Sequence, residues 1–385
     1  MNHKTLLTLI AACAIVGANT SAAMAADKEI KYGGRIQSDW TTVEGDDALN
    51  AAFSDFEDGT EFRRARLFVS GTLYQHVSFK AQYDFAGGDA EFKDVFIGLD
   101  GIPVVGHLHV GHFKEPFGLE ELTSSKYITF LERSLTSAFV PSRNSGIGMH
   151  NSFAHEHVTF SAGVFRNTDN FGESTGDHDR NFTARATAVP WQDAENGNLV
   201  HIGAAFSHRR PNDSEVSYSQ RPSVHLAPKF VSTGDIAADA ANLVGGEFAA
   251  VIGPVPIQTE YIRVFCDAEE MGDPDFGAFY VQAGVFLTGE HRKYDASDGA
   301  FGRTKPRSNF FTDDAKGTGA WEIAARYSKI DLDDKGTNGG TMEDLTLALN
   351  WYLNPYTRVM LNYVHAALLG VGNADALLAR VQVDF

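Results

Sequence analysis

Apolar and polar residues alternate along most of this chain in sixteen short stretches, the last of which closes on Phe385. In that segment Leu377, Ala379, Val381, Val383 and Phe385 share one face, while Leu378, Arg380, Gln382 and Asp384 share the other. A period of two residues marks a β-strand. An apolar outer face repeated in strand after strand, over a polar inner face, predicts a transmembrane β-barrel. The strands are expected near 30–40, 62–73, 77–85, 92–100, 106–113, 144–153, 157–166 and 180–189. The second half places them near 199–208, 241–251, 255–265, 277–290, 320–330, 343–353, 357–367 and 376–385.

The links between strands carry independent information. Long or polar links follow the odd-numbered strands, and most links after even-numbered strands are tight, as at Tyr74-Gln75-His76, Gly253-Pro254 and Asn354-Pro355-Tyr356. Long loops on one rim and short turns on the other belong to outer-membrane barrels, and an even strand count puts both termini on the periplasmic rim. Residues 291–319 break the rule, so either the strand parity slips there or that turn is enlarged.

The first residues look like a secretory signal, with Lys4, an apolar stretch from Thr5 to Gly17, and a small-residue cleavage site at Ala23-Met24-Ala25. The expected organisation is a signal peptide over 1–25 and one barrel domain over 26–385. Cleavage at Cys13 as a lipoprotein is the competing reading of the leader. Beyond it only Cys266 remains, which excludes an intrachain disulfide framework and a multi-cysteine metal site. A long apolar run is absent, so a helical membrane protein is excluded. One or two soluble β-sandwiches are the competing fold, but they need the aromatic-rich faces to pack on one another. The formal net charge of −18 argues against nucleic acid as a partner.

Parity assigns side chains to the lumen. The inward cations are Lys31, Arg35, Arg64, Arg66, Lys80, Arg185, Arg326, Arg358 and Arg380; the inward acids are Asp39, Asp84, Asp94, Glu322, Asp344 and Asp384. Parity places Arg63 on the outer face. A low-dielectric wall focuses local charge, so a basic cluster such as Arg63-Arg64-Ala65-Arg66 can set ion preference against the global sign. Arg and Lys rings suit anion pores, and the guanidinium fork matches phosphate oxygens.

The third long loop, opening at Lys114, is too apolar at Phe117, Leu119, Leu122, Ile128, Phe130 and Leu131 to lie in water. Folded into the barrel, it narrows the channel and brings Ser124, Ser125, Lys126 and Arg133 to the constriction. Hydroxyls and cations together replace the hydration of an oxyanion. Glu115, Glu120, Glu121 and Glu132 on the same loop oppose an anion unless wall arginines pair with them.

Several stretches resemble the phosphate-selective porins of Gram-negative outer membranes, which include the porins for phosphate and polyphosphate. They are Glu61–Phe85, His112–Ser134, Leu287–Tyr294, Gly319–Ser328 and Leu349–Pro355, together with the terminal Phe. The resemblance implies a sixteen-stranded barrel, a homotrimer in the lipid bilayer with lipopolysaccharide, and a third loop at the constriction. It also implies an arginine ladder, with Arg63, Arg64 and Arg66 as ladder or constriction residues. Ser124, Ser125, Lys126 and Arg133 are the loop's contribution, Asp94 is the acidic partner, and Arg35, Lys80 and Lys114 complete the candidate set.

His107, His109 and His112, with His155 and His157, form spaced pairs, but such histidines on strands and turns are more simply lumen or rim residues than metal ligands. Gly33-Gly34, Gly245-Gly246 and Gly339-Gly340 read as kinks or turns, not as phosphate loops. No cofactor and no enzyme activity are expected. The expected function is a passive channel for phosphate, polyphosphate or related oxyanions. The alternatives are a general or cation-preferring porin, and an enzyme or adhesin that uses the barrel as a support.

Overall fold

A computed structural model describes residues 28–53, 56–176, 180–211, 213–310 and 317–385. The segment assigned to a signal peptide lies outside the described residues. All sixteen alternating stretches become strands of one closed antiparallel barrel. The first eight are β1 (Lys28–Gly45), β2 (Gly59–Leu73), β3 (Val77–Asp84), β4 (Glu91–Ile102), β5 (Gly106–Lys114), β6 (Arg143–Phe153), β7 (Val158–Arg166) and β8 (Asn181–Asp193). The rest are β9 (Asn198–Arg209), β10 (Ala240–Ile252), β11 (Val255–Asp267), β12 (Asp275–Phe286), β13 (Ala320–Asp334), β14 (Thr337–Asn354), β15 (Thr357–Leu368) and β16 (Gly372–Asp384).

Closure runs from Arg35 opposite Asp384 to Gly45 opposite Ala374. Phe385 extends the seam, because the Gly34 N–H donates to its carbonyl at 2.9 Å. The Gly33-Gly34 pair is therefore neither a kink nor a turn. A Cβ at Gly33 would meet the Phe385 carbonyl, and one at Gly34 would meet the Arg66 carbonyl and the Phe385 ring. Lys31, expected in the lumen, lies on the stretch of β1 that projects past β16, exposed and paired with Glu29 at 2.8 Å. The outward set, including Ile36, Trp40, Leu67, Ile97, Val110, Ile147 and Leu347, stays exposed as the apolar band a barrel presents to lipid.

The links after β13 and β15 are shorter than expected, the second being Leu369-Gly370-Val371 alone. β13 and β14 continue as a hairpin beyond the neighbouring strands, pairing Asp334 with Thr337, so the long link expected there is a tight turn at Lys335-Gly336. Across residues 291–319 the parity holds and the turn is enlarged. Its described part, up to 310, folds back into the lumen, where Tyr294 and Phe301 are buried.

The interior departs most from a simple polar lumen. Ile262 and Val264 on β11, Ile330 and Leu332 on β13, and Val364 and Ala366 on β15 are buried inward. They pack on a loop between β9 and β10 through Val224, Phe230, Val231 and Ile236, and on Leu49 of a short helix, Asp47–Phe53. The third loop joins this core through Leu135 and Phe139, whose ring meets Tyr218 at 5.2 Å. The β10–β15 side of the barrel is thus filled, and open space lies along β1–β8.

This inner core makes loop position a packing problem. Phe230→Ala is expected to remove about 3–5 kcal/mol of packing and to loosen the 210–239 loop. Higher single-channel conductance and faster proteolysis within that loop are the expected readouts. Wild-type conductance and cleavage would count against a packed loop.

Candidate functional site

The site is built where two β-bulges fall on β2 and β4, the strands that flank β3. Along β1 and β2, Gln37 opposes Arg64 and Ser38 opposes Phe62, which leaves Arg63 as an extra residue. Along β3 and β4, Ala81 opposes Val95 and Tyr83 opposes Phe92, so Lys93 and Asp94 together face Gln82. A bulge re-aims side chains. Arg63 therefore points inward beside Arg64, correcting the strict parity reading, and Lys93 is added to a wall where alternation had not placed it. The trace was present in the chain: outward Phe62 and Ala65, like outward Phe92 and Val95, stand three residues apart instead of two.

The third loop forms the opposite wall, held there by charge. Glu132 accepts from Arg63 and Arg380 at 2.9 Å each. Glu120 pairs with Arg326 at 3.1 Å, and Glu115 pairs with Arg209 at 3.1 Å. Glu121 pairs with Arg133 at 2.9 Å and Lys114 at 3.3 Å. The loop's backbone is also held. Arg358 donates to the carbonyls of Ile128 and Thr129 at 2.8 Å each, Arg380 to that of Leu131 at 2.7 Å, and Arg326 to that of Glu132 at 3.0 Å. Glu260 accepts the backbone N–H groups of Leu119 and Glu120 at 2.7 Å, satisfying the start of the loop's helical turn. Arg326, Arg358 and Arg380 are therefore loop anchors, and Arg185 is bound to Glu247 at 2.7 Å.

Between the bulged wall and the loop lies a chamber of about 380 Å³. Ten of the expected residues line it: Arg35, Arg63, Arg64, Arg66, Lys80, Asp94, Lys114, Ser124, Ser125 and Arg133. Lys126 does not. Its amine is 3.3 Å from Asp384, on the far side of the loop beside Tyr127 and Arg303. Lys93 and Arg143 line the chamber without having been foreseen. Arg143 sits where the loop rejoins the barrel, in Pro141-Ser142-Arg143, a stretch with no alternation to read.

Most of these cations are fixed by carboxylates. Asp94 lies between Lys80 at 2.5 Å and Arg143 at 2.8 Å, Arg66 meets Asp84 at 2.6 Å, and Lys93 meets Glu91 at 2.7 Å. Arg35 and Arg64 differ. Arg35 donates to Ser125 Oγ at 2.6 Å and Arg64 to Gln37 at 2.9 Å, and neither has a carboxylate in ion-pair range among the described residues. Arg64 Nε is buried with no hydrogen-bond partner among them. A buried guanidinium without a counter-charge carries a desolvation penalty, and an anion in the chamber relieves it.

Two of the loop carboxylates, Glu121 and Glu132, are held in their charged form. Burial alone pushes Glu121 up, but Arg133 and Lys114 outweigh it and hold the group at about 2. Burial is likewise overcome at Glu132 by Arg63 and Arg380, which keep it well below the usual carboxylate range.

Comparison with known proteins follows the same lines. A family described as phosphate-selective porin O and P matches residues 30–385. Porin O of Pseudomonas aeruginosa is 27% identical over 406 residues, spanning 93% of this chain and 89% of the relative. An uncharacterized protein of Caulobacter vibrioides is 27% identical over 379 residues, spanning 93% of this chain and 74% of the relative. Among solved structures, an anion-selective porin from Comamonas acidovorans is similar with a TM-score of 0.57 at 12% identity, over 93% of this chain and 100% of that one. OmpT of Vibrio cholerae gives 0.55 at 13% identity, over 95% and 100%. At these identities the structural likeness is one of fold.

The lowered carboxylates set a pH window. The Glu121 carboxyl titrates at about 2 when folded, against 4.5 ordinarily, so the unfolded chain binds more protons between those values. Its stabilisation is complete above 4.5 and is lost as pH falls toward 2. Thermal unfolding of the detergent-solubilised protein is expected to weaken across that window, and less steeply in Glu121→Gln. Equal slopes for the two proteins would contradict the docking role of this pair.

Proposed function

The chain belongs to the phosphate-selective porin O and P family of outer-membrane β-barrel channels, and from that premise we propose that its basic chamber selects inorganic phosphate and related oxyanions. The unmatched guanidinium groups of Arg35, beside Ser124 and Ser125, and of Arg64, beside Gln37, carry this reading. It is a channel rather than an enzyme, and passage is passive diffusion into the periplasm.

An arriving anion exchanges water for guanidinium, ammonium and hydroxyl donors. Arg35 and Arg64 offer planar forks that match tetrahedral oxyanions, while the carboxylate-bound Arg63 and Arg66 and the lysines Lys80, Lys93 and Lys114 add charge. Low-dielectric walls strengthen their summed field inside the chamber. Conduction also needs the anion to leave, so binding must be spread over several sites of moderate strength. Asp94, Asp84, Glu91 and Glu121 moderate the field because each is tied to a lining cation. A cation-preferring pore would need free carboxylates on the third loop, yet all four of its named glutamates are paired.

The leader over residues 1–25 directs export in this reading, and barrels assemble as a homotrimer in a lipid bilayer with lipopolysaccharide. Planar-bilayer reversal potentials in a salt gradient test the sign of selectivity, and block of chloride current by phosphate tests the chamber. Arg64→Ala is expected to raise the half-blocking phosphate concentration about ten- to a hundredfold, from the loss of ~1.5–3 kcal/mol of charged hydrogen bonding. Lys126→Ala, outside the chamber, is expected to change it by less than about twofold. Cation-selective reversal potentials, or unaltered block in Arg64→Ala, would overturn the assignment.

A further inference from the structure

A second cavity, of about 540 Å³, continues from the basic chamber and shares Asp94, Lys114, Leu122 and Ser124 with it. It lies toward the turn side of the barrel, between the inner faces of β5–β7 and the inturned segment that carries Phe301. The two cavities differ in chemistry. The chamber has one apolar side chain, Leu122, whereas the second cavity is walled by Phe113, Tyr127, Phe165 and Phe301 together with imidazoles.

The rings on β4–β7 touch one another along one wall. His109 stacks on Phe96 at 4.2 Å, Phe113 meets Phe165 edge-on at 5.4 Å, and His107 stacks with His150 at 6.3 Å. Glycines let two of the rings lie against the wall. The Phe113 ring passes 3.2 Å from where a Cβ of Gly148 would stand, and the Phe165 ring occupies that place at Gly163. Phe165 and Phe301 are buried in the wall at 1% and 2% exposure, so the open ring surface belongs to Tyr127, the imidazoles and in small part Phe113, and a hydrated inorganic oxyanion gains nothing from it.

The charges of this cavity sharpen the choice of occupant. Arg185 is taken up by Glu247 and by the Gly299 carbonyl, and His107 is bound to Asp100. Asp295 and Asp298 on the inturned segment repel a second anionic group. The chamber thus suits a phosphate, and the adjoining cavity suits a flat, uncharged body attached to it.

We propose that this pore takes phosphate monoesters of aromatic alcohols, with the phosphate at Lys114 and Ser124 and the ring against Phe113 and Tyr127. The proposal rests on the phosphate reading above and narrows its substrate class. A cavity of this size is ordinary for a small-molecule site.

Block of chloride current in planar bilayers, compared for inorganic phosphate, methyl phosphate and phenyl phosphate, tests it. The three blockers are compared at one fixed pH. Phenyl phosphate is expected to half-block at about tenfold lower concentration than methyl phosphate, from partial burial of one ring. Phe113→Leu and Tyr127→Leu are each expected to reduce that ratio to about threefold or less. Equal block by the two esters, or an unchanged ratio in both variants, overturns the proposal; where a variant does not insert, the wild-type ratio decides. Absence of block by inorganic phosphate overturns the phosphate reading instead, whereas inorganic block with equal block by the esters overturns the ester proposal alone.

Discussion

The pore depends on docking one acidic loop against one basic wall. Glu132 is gripped by arginines from β2 and β16, while Arg326 and Arg358 hold the adjoining backbone from β13 and β15. Such pairs are a weak source of net stability, because desolvation offsets most of the Coulombic gain. Removing a single partner is another matter, since it leaves a buried charge uncompensated at about 3–5 kcal/mol. Mutual dependence of this kind specifies position more than it adds stability. It also ties the loop's glutamates to cations, which in the proposed reading leaves Arg35 and Arg64 to set the sign of the pore.

Docking of that loop divides the barrel. On the β10–β15 side, inward apolar side chains and two infolded loops make a packed core inside a wall whose other face meets lipid. Open space along β1–β8 then receives the charges that the bulges deliver. One bulge supplies Arg63 and the other supplies Lys93 beside Asp94, on strands separated by β3 alone. Regular strands show only alternate residues to the lumen. Two bulges place consecutive charged residues there without lengthening the barrel.

The alternating pattern made the sixteen strands legible because lipid contact imposes a period of two that few other environments sustain. Inward side chains were legible for the same reason, and ten of the proposed site residues do converge. What alternation misses is any break in its own phase, as at Arg63 and Lys93. Lys126 shows a second limit: proximity in a loop to Ser124 and Ser125 does not fix direction, and a turn of the backbone sends it to Asp384. The buried inner residues of β11, β13 and β15 show a third. They follow from a loop packing inside the barrel, and no local sequence signal distinguishes an inward valine against a loop from one that is misaligned.

A net charge of −18 is compatible with a basic chamber because the two are far apart in electrostatic terms. Asp46, Asp47, Glu57 and Asp58 lie in the link after β1, Glu269, Glu270 and Asp273 in the link after β11, and Asp331, Asp333 and Asp334 at the tip of β13, all on the long-loop rim. Exposed charges act over about 8 Å at physiological ionic strength. Within the chamber, low-dielectric walls screen much less, so nearby guanidinium groups dominate. The acidic rim therefore affects how often an anion approaches, and chiefly at low salt, whereas in the proposed reading Arg35, Arg64 and their neighbours determine which ion is stable once inside. Global charge and pore selectivity are set by different residues, at different distances and under different screening, so the sign of one does not predict the sign of the other.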